Sequence, residues 1–207
     1  MSQVATPDAV LTFWFGGHSP DHASSPQQIG RWFNGGDGFD EEIRTRFGHT
    51  VDIALAGGLD HWQQSPAEQL ALILVCDQFT RNIYRGSERA FAGDPLALST
   101  SQAMIRDNLQ TGFGLDQRAF LGMPLEHSEL PEVQAQSVTY FSQLQQDFSE
   151  DQGVSSADAK RARSYYGFAV SHRDVIERFG RFPHRNAALA RDSSGEEQEW
   201  LDNGGGF

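Results

Sequence analysis

A proline one residue inside a capping residue recurs along this chain, and that pairing marks a helix start. It occurs at Thr6-Pro7-Asp8, Ser65-Pro66-Ala67-Glu68, Asp94-Pro95 and Leu130-Pro131-Glu132. Proline is pre-organised for the first helical turn, where its missing N–H is no loss. The preceding Ser, Thr or Asp accepts from the free amides of that turn. Helix stops match the starts: Gly16, Gly57-Gly58, the Gly112 and Gly114 pair, and Gly180. Between them Phe39, Ile43, Phe47 and Val51 fall four residues apart, a buried helical stripe. A short helix is expected from Asp116 to Leu121, ended by Pro124, and a long one from Ser155 or Ser156 to Phe179. Ser193 and Ser194, with Glu196 and Glu197 three residues on, offer capping boxes for a last short helix. No Asn-Gly hairpin and no sustained apolar alternation is present. The expected fold class is all-α, with seven to eight helices stacked as antiparallel pairs because their connections are short. One all-helical domain over 1–207 is expected, with the Gly- and Pro-containing segment at about 16–38 irregular and wrapped over the surface.

Charge and composition exclude several classes of function. The net charge of −12 argues against bulk adhesion to nucleic acid or to an anionic membrane. A single Cys excludes an intrachain disulfide and a Cys-based zinc cluster. No apolar run approaches the roughly 18 residues of a spanning helix, and the first residues lack the basic region of a secretory signal. A cytoplasmic protein is the expectation. The acidic body is nonetheless uneven. Residues 160–191 carry eight basic side chains against two acids, and all the basic residues but Lys160 are Arg, suited to bidentate capture of a carboxylate. Such local clusters steer a small anion to one place.

No phosphate-binding glycine loop, dinucleotide fingerprint or nucleophile elbow is present, and nothing calls for a metal or other cofactor. Cys76 sits in the apolar run Leu70 to Phe79 and reads as a small buried hydrophobe. His18 and His22, with Asp21 between them, read as exposed loop histidines. Three polar segments stand out, each placed where a helix ends or breaks. In Asp77-Gln78-Phe79-Thr80-Arg81-Asn82-Ile83-Tyr84-Arg85-Gly86, one reading is an Asp77–Arg network holding a loop. The other has Arg81, Asn82 and Arg85 facing a ligand. In Pro124-Leu125-Glu126-His127-Ser128-Glu129, Glu126 and Glu129 share a face if the segment is helical, a setting for acid–base work or for a cation. The alternative pairs Glu126 with a distant Arg and His127 with a carbonyl. In the third, Tyr165, Phe168, His172, Ile176 and Phe179 form one stripe, so His172 faces the core, as catalyst or as a satisfied core residue. His184, Arg185 and Asn186 then enter a new helix whose N-terminus favours an anion.

These segments resemble the uncharacterised bacterial family known as domain of unknown function 924. The likeness runs from Phe13-Trp14-Phe15-Gly16 through Arg31-Trp32-Phe33 and Phe39-Asp40 to the Gly-rich C-terminus. The family's D-Q-F-P-R-N has Thr80 here in place of Pro, and its P-F-E-H-S-E has Leu125 in place of Phe. Neither change removes a charged group; Thr80 bears on the rigidity with which Arg81 is presented. The resemblance implies a tetratricopeptide-like helical stack and supplies no reaction.

Two functions are open to such a chain. In the first, a pocket binds, or binds and turns over, a small anionic metabolite. Arg81, Arg85, Arg185 and His184 hold it, Asn82 and Asn186 orient it, and Glu126, His172 and His127 move protons. In the second, a tetratricopeptide-like module binds an acidic or C-terminal peptide, and the polar motifs are structural. The mixed Arg, His, Glu and Asn sets favour the pocket, since a peptide groove needs only apolar and amide contacts.

Overall fold

Thr6 and Ser65 cap where the sequence places them, whereas Asp94 lies inside its helix behind Gly93 and accepts from Arg81 instead. In a computed structural model describing residues 3–17, 19 and 22–207, the Thr6 hydroxyl accepts from Ala9 N and α1 (Pro7–Phe15) closes on Gly16 at φ +86°. Among the described residues the chain forms nine α-helices and no strand, so the all-α expectation holds. After α1 come α2 (Pro26–Asn34) and α3 (Gly36–Leu55). The next, α4, starts as Pro66–Ile73, widens into a π-helical turn at Leu74–Phe79, and ends as an α-turn at Thr80–Ile83. Then follow α5 (Asp94–Arg106), α6 (Leu115–Glu126), α7 (Pro131–Asp147), α8 (Ser156–Phe179) and α9 (Gly195–Asp202). Ser65, Ser155 and Ser194 cap α4, α8 and α9, the last with a reciprocal capping box to Glu197.

Several boundaries differ from the expectation, each for a local reason. The segment at 16–38, expected to be irregular, contains α2, whose start is set by Ser25 accepting from Gln28 N with Pro26 behind it. That helix takes the number beyond seven to eight. Asp77 to Ile83 do not form a loop, because the π turn carries the helix through them. Pro124 does not stop α6, which runs on to Glu126. The helix after Asp94 ends at Arg106, and a 3-10 turn at Leu109–Gly112 follows it. His184 and Arg185 do not open a helix but lie in the 3-10 turn Pro183–Arg185, which offers no helix N-terminus to an anion. Phe168 departs from its stripe and is exposed, while Tyr165, His172 and Ile176 are buried. His18 and Asp21 lie outside the described residues.

The chain packs as two units, residues 1–85 with 89–124 and residues 86–88 with 125–207. In the first, α4 is the central helix. Leu70 through Cys76 are all fully buried, with α1, α3 and α5 packed around them. A helix without a polar face is one surrounded on all sides. The π turn ends on Phe79, which lies in an aromatic core, 4.9 Å from Phe47, 5.5 Å from Trp14 and 6.1 Å from Phe13 between ring centroids. Just before α5, Gly93 lies against the π turn, and a Cβ on it would fall 2.2 Å from the Cys76 carbonyl oxygen. Backbone cannot yield there as a side chain can. Gly93→Ala is therefore expected to lower the unfolding free energy by about 1–3 kcal/mol, read as a shifted urea midpoint at unchanged slope. Gly48→Ala, inside α3 with only the Arg44 Cγ within 4 Å, is expected to be neutral or stabilising. Equal effects at the two positions would show that the crowding at Gly93 is relieved without cost.

In the second unit α7 packs on α8, and alanines 159, 162 and 169 are buried along α8. Phe182, fully buried, joins Val175 and Ile176, with Phe179 and Trp200 against them.

Candidate functional site

Arg81, Asn82 and Arg85 belong to the first unit, and each is engaged with an acid there. Arg81 donates to Asp77 O (2.7 Å) and to both Asp94 carboxylate oxygens (2.8 and 3.0 Å), and its Nη1 lies 3.1 Å from Asp77 Oδ1. Burial works against the guanidinium charge, but the Asp77 and Asp94 carboxylates outweigh it and raise its pKa. Thr80, where the resemblance left rigidity open, donates to Cys76 O at 2.7 Å inside the helix. Arg85 grips Asp40 through Nε (3.0 Å) and Nη2 (2.9 Å), and Asn82 donates to the same carboxylate at 2.6 Å. The carboxylate these residues hold is thus the chain's own. They border an open cleft of about 360 Å³ that also has Asp37, Asp40, Glu41 and Arg44 on its walls. Three acids against two Arg make this a mixed surface for an anion. Burial, then Asp77 and Asp94, push the Cys76 thiol up to about 12, so it is unreactive at neutral pH.

The second unit brings Glu126, His127, His172, His184 and Arg185 together. Glu126 ends α6, and fully buried Gln134 on α7 fixes that end by donating to Glu126 O (2.7 Å) and Ser128 O (2.6 Å). Because the helix stops there, Glu126 and Glu129 do not share a helical face, and the expected carboxylate pair is parted. Glu126 Oε2 lies 3.9 Å from His172 Nδ1. Glu129 instead clamps the loop after α8, accepting from Phe182 N (2.8 Å) and from both terminal nitrogens of Arg191 (2.8 and 3.0 Å). Burial pushes the Glu129 pKa up, but the hydrogen bonds from Arg191 and Phe182 N outweigh it and hold the carboxyl below its usual range. Asn186 belongs to the same clamp: its Oδ1 accepts from Arg191 Nε (3.0 Å) and its Nδ2 donates to Ser193 Oγ (3.1 Å). Arg181 closes the loop on Glu197, whose carboxyl its hydrogen bonds hold down at about 2.

His172 is the centre of the cluster. Its Nδ1 is 2.8 Å from Phe168 O, and a carbonyl only accepts, so Nδ1 carries the proton. Burial, then the neighbouring His127, push its pKa down to about 3, with Arg185 and His184 adding to the effect. The ring is therefore neutral at pH 7, and its lone pair is on Nε2. The His127 ring lies 6.0 Å away, and Phe182 meets the imidazole edge-on at 5.6 Å. The buried Arg185 side chain sits over the Phe182 ring, its Cζ 4.5 Å from the centroid. A neutral, oriented imidazole of such low proton affinity serves as a hydrogen-bond acceptor at Nε2, and the basic neighbours favour negative charge near it.

Two participants carry little or no mark in the sequence. Arg191 gives no signal apart from belonging to the Arg-rich segment. Phe207 stacks on His172 with centroids 3.7 Å apart and planes 11° apart, and an aromatic directly after three glycines is its only mark. Among the described residues no three His, Cys, Asp or Glu side chains are grouped as a metal ion would need. No helix among them is long and apolar enough to cross a membrane.

The chain is similar over 95% of its length to the solved structure of a protein of unknown function, ATU0120, from Agrobacterium tumefaciens. The likeness covers 97% of that chain at 30% identity and a TM-score of 0.75. No curated protein matches. The family model for bacterial proteins of unknown function DUF924 matches residues 10–205. Nearly the whole chain is covered, with all three polar motifs inside the match, and the chain belongs to the DUF924 family.

Proposed function

We propose that the second unit binds a small anionic metabolite beside His172, whose neutral ring presents its Nε2 lone pair as a hydrogen-bond acceptor. The observation that carries this reading is the gathering of His127, His184 and buried Arg185 about His172, whose tautomer is pinned by Phe168 O and whose proton affinity is lowered first by burial and then by those neighbours. The basic neighbours that add to the effect of burial on the imidazole also favour an arriving carboxylate or phosphate. In this proposal Arg185 and His184 hold the anion, Glu126 orients His172 as a positioning residue, and Asn186 shapes the loop that presents Arg185. Arg81, Asn82 and Arg85 serve the first unit's own acids.

The helix arrangement belongs to the same proposal. An α7–α8 pair joined by residues 148–155 and packed together suits an antiparallel hairpin of the tetratricopeptide kind. On such a frame the competing reading is a peptide-binding module, and the exposed Phe168 on α8 is the feature that favours it.

Native mass spectrometry of the freshly purified protein, beside a denatured control, tests the first reading. A mass of metabolite size that is lost on denaturation is expected. It should fall about tenfold in occupancy in Arg185→Gln, which removes one charge-assisted contact. An unliganded wild type that also takes up no carboxylate or phosphate at millimolar concentration would overturn it.

A further inference from the structure

The 204–207 segment follows a path that depends on its glycines. Gly204 has φ +83° and Gly206 φ +138°, both in the region that favours glycine. The Gly205 amide donates to Trp200 O at 2.9 Å, and a Cβ on Gly205 would fall 2.2 Å from the Trp200 ring. This path ends with Phe207 lying flat on His172. The Phe207 ring also meets His184 at 5.7 Å and Phe182 at 6.2 Å, both nearly perpendicular. Yet Phe207 is 53% exposed, one of few large apolar side chains in the described chain so open to water. An apolar side chain this exposed, carried on three glycines that lose much backbone freedom when docked, is weakly held. It covers a face of the imidazole on which a planar group stacks.

We propose that Phe207 is a displaceable placeholder and that the site takes an aromatic anion. The ligand's ring replaces that of Phe207 on His172, and its carboxylate is directed to Arg185 and His184. This rests on the anion-binding reading above and narrows it to a class of ligand. The same surroundings supply both halves of the recognition: a flat imidazole face for the ring and basic side chains for the charge. Segment 204–207 then competes with the ligand, so its docked population sets the apparent affinity.

Benzoate and cyclohexanecarboxylate carry the same charge on a flat and a puckered ring, and calorimetric titration of both distinguishes the possibilities. Phe207→Ala is expected to bind benzoate about tenfold more tightly than wild type, because the competitor is gone. Phe207→Tyr, which keeps a flat ring, is expected to match wild type. Cyclohexanecarboxylate is expected to bind about fivefold more weakly than benzoate to each protein, for want of a stacking face. A readout that needs no ligand is the carbethoxylation of His172 by diethyl pyrocarbonate, followed by peptide mass. It is expected to be faster in Phe207→Ala than in wild type or Phe207→Tyr, and benzoate is expected to slow it. Equal binding of the two acids, or His172 equally reactive with and without the Phe207 ring, overturns this proposal and leaves the anion site standing. Binding of neither acid to any of the three proteins overturns both.

Discussion

Arg81→Ala is expected to lower the unfolding free energy by about 3–5 kcal/mol, among the largest effects of any single substitution in the first unit. Asp77 is fully buried in the π turn and Asp94 partly so, and the one guanidinium between them answers both carboxylates and Asp77 O. Removing it takes from the buried Asp77 carboxylate the guanidinium that answers its charge. A buried pair deleted as a pair costs much less. Asp77→Leu combined with Arg81→Met is therefore expected to recover part of the loss. Urea unfolding of the two variants beside wild type checks this. A loss below about 1 kcal/mol for Arg81→Ala would show that water reaches Asp77 and that the network adds little to stability.

Acidification is expected to weaken the second unit through His172, by about 3 kcal/mol between pH 6.5 and pH 4. The unfolded imidazole titrates near 6.5, whereas burial and then His127 depress the folded value to about 3. Below pH 6.5 the unfolded chain takes up a proton that the folded chain refuses. Stability is thus intact above 6.5 and declines as pH falls toward 3. Glu197 and Glu129 act in the same direction, but from the ordinary carboxylate range downward, since their folded values are depressed. The difference in unfolding free energy between wild type and His172→Gln isolates the histidine, because both proteins keep those carboxylates. A difference that stays flat from pH 7 to 4 would show that His172 titrates alike in the folded and unfolded chain, and that burial and its basic neighbours do not lower its proton affinity.

How legible these features are depends on how far apart the interacting groups lie in the chain. Helix starts at Pro7, Pro66 and Pro131 and the stripe Phe39, Ile43, Phe47 and Val51 are readable because each is set within a turn or two of backbone. The start of α2 carries the same Ser-Pro signal, but the Gly- and Pro-containing surroundings mask it. The π turn in α4 leaves no periodic trace, since a helix buried on every side has no polar face to mark its register. For the first polar motif, an Asp77–Arg network is one of two readings open to the sequence, and Arg81 with Asp77 is that network. The partner of Asn82 and Arg85 cannot be named from the sequence, because Asp40 lies more than forty residues away on α3. Glu126 and Glu129 pair only if the helix continues through both. Three residues of non-helical backbone send them to different partners.

By itself the sequence determined the helical class, most helix starts, the burial of α3 and α4, and the residue types available for chemistry. These come from backbone geometry, capping and solvent exclusion, which act locally. Only the tertiary structure decided which charges cancel one another and which surround His172. It also decided that Glu129 and Arg191 clamp the loop presenting Arg185, and that Phe207 comes to rest on the imidazole. Those outcomes depend on distances between residues far apart along the chain, and burial then converts the distances into proton affinities and stability.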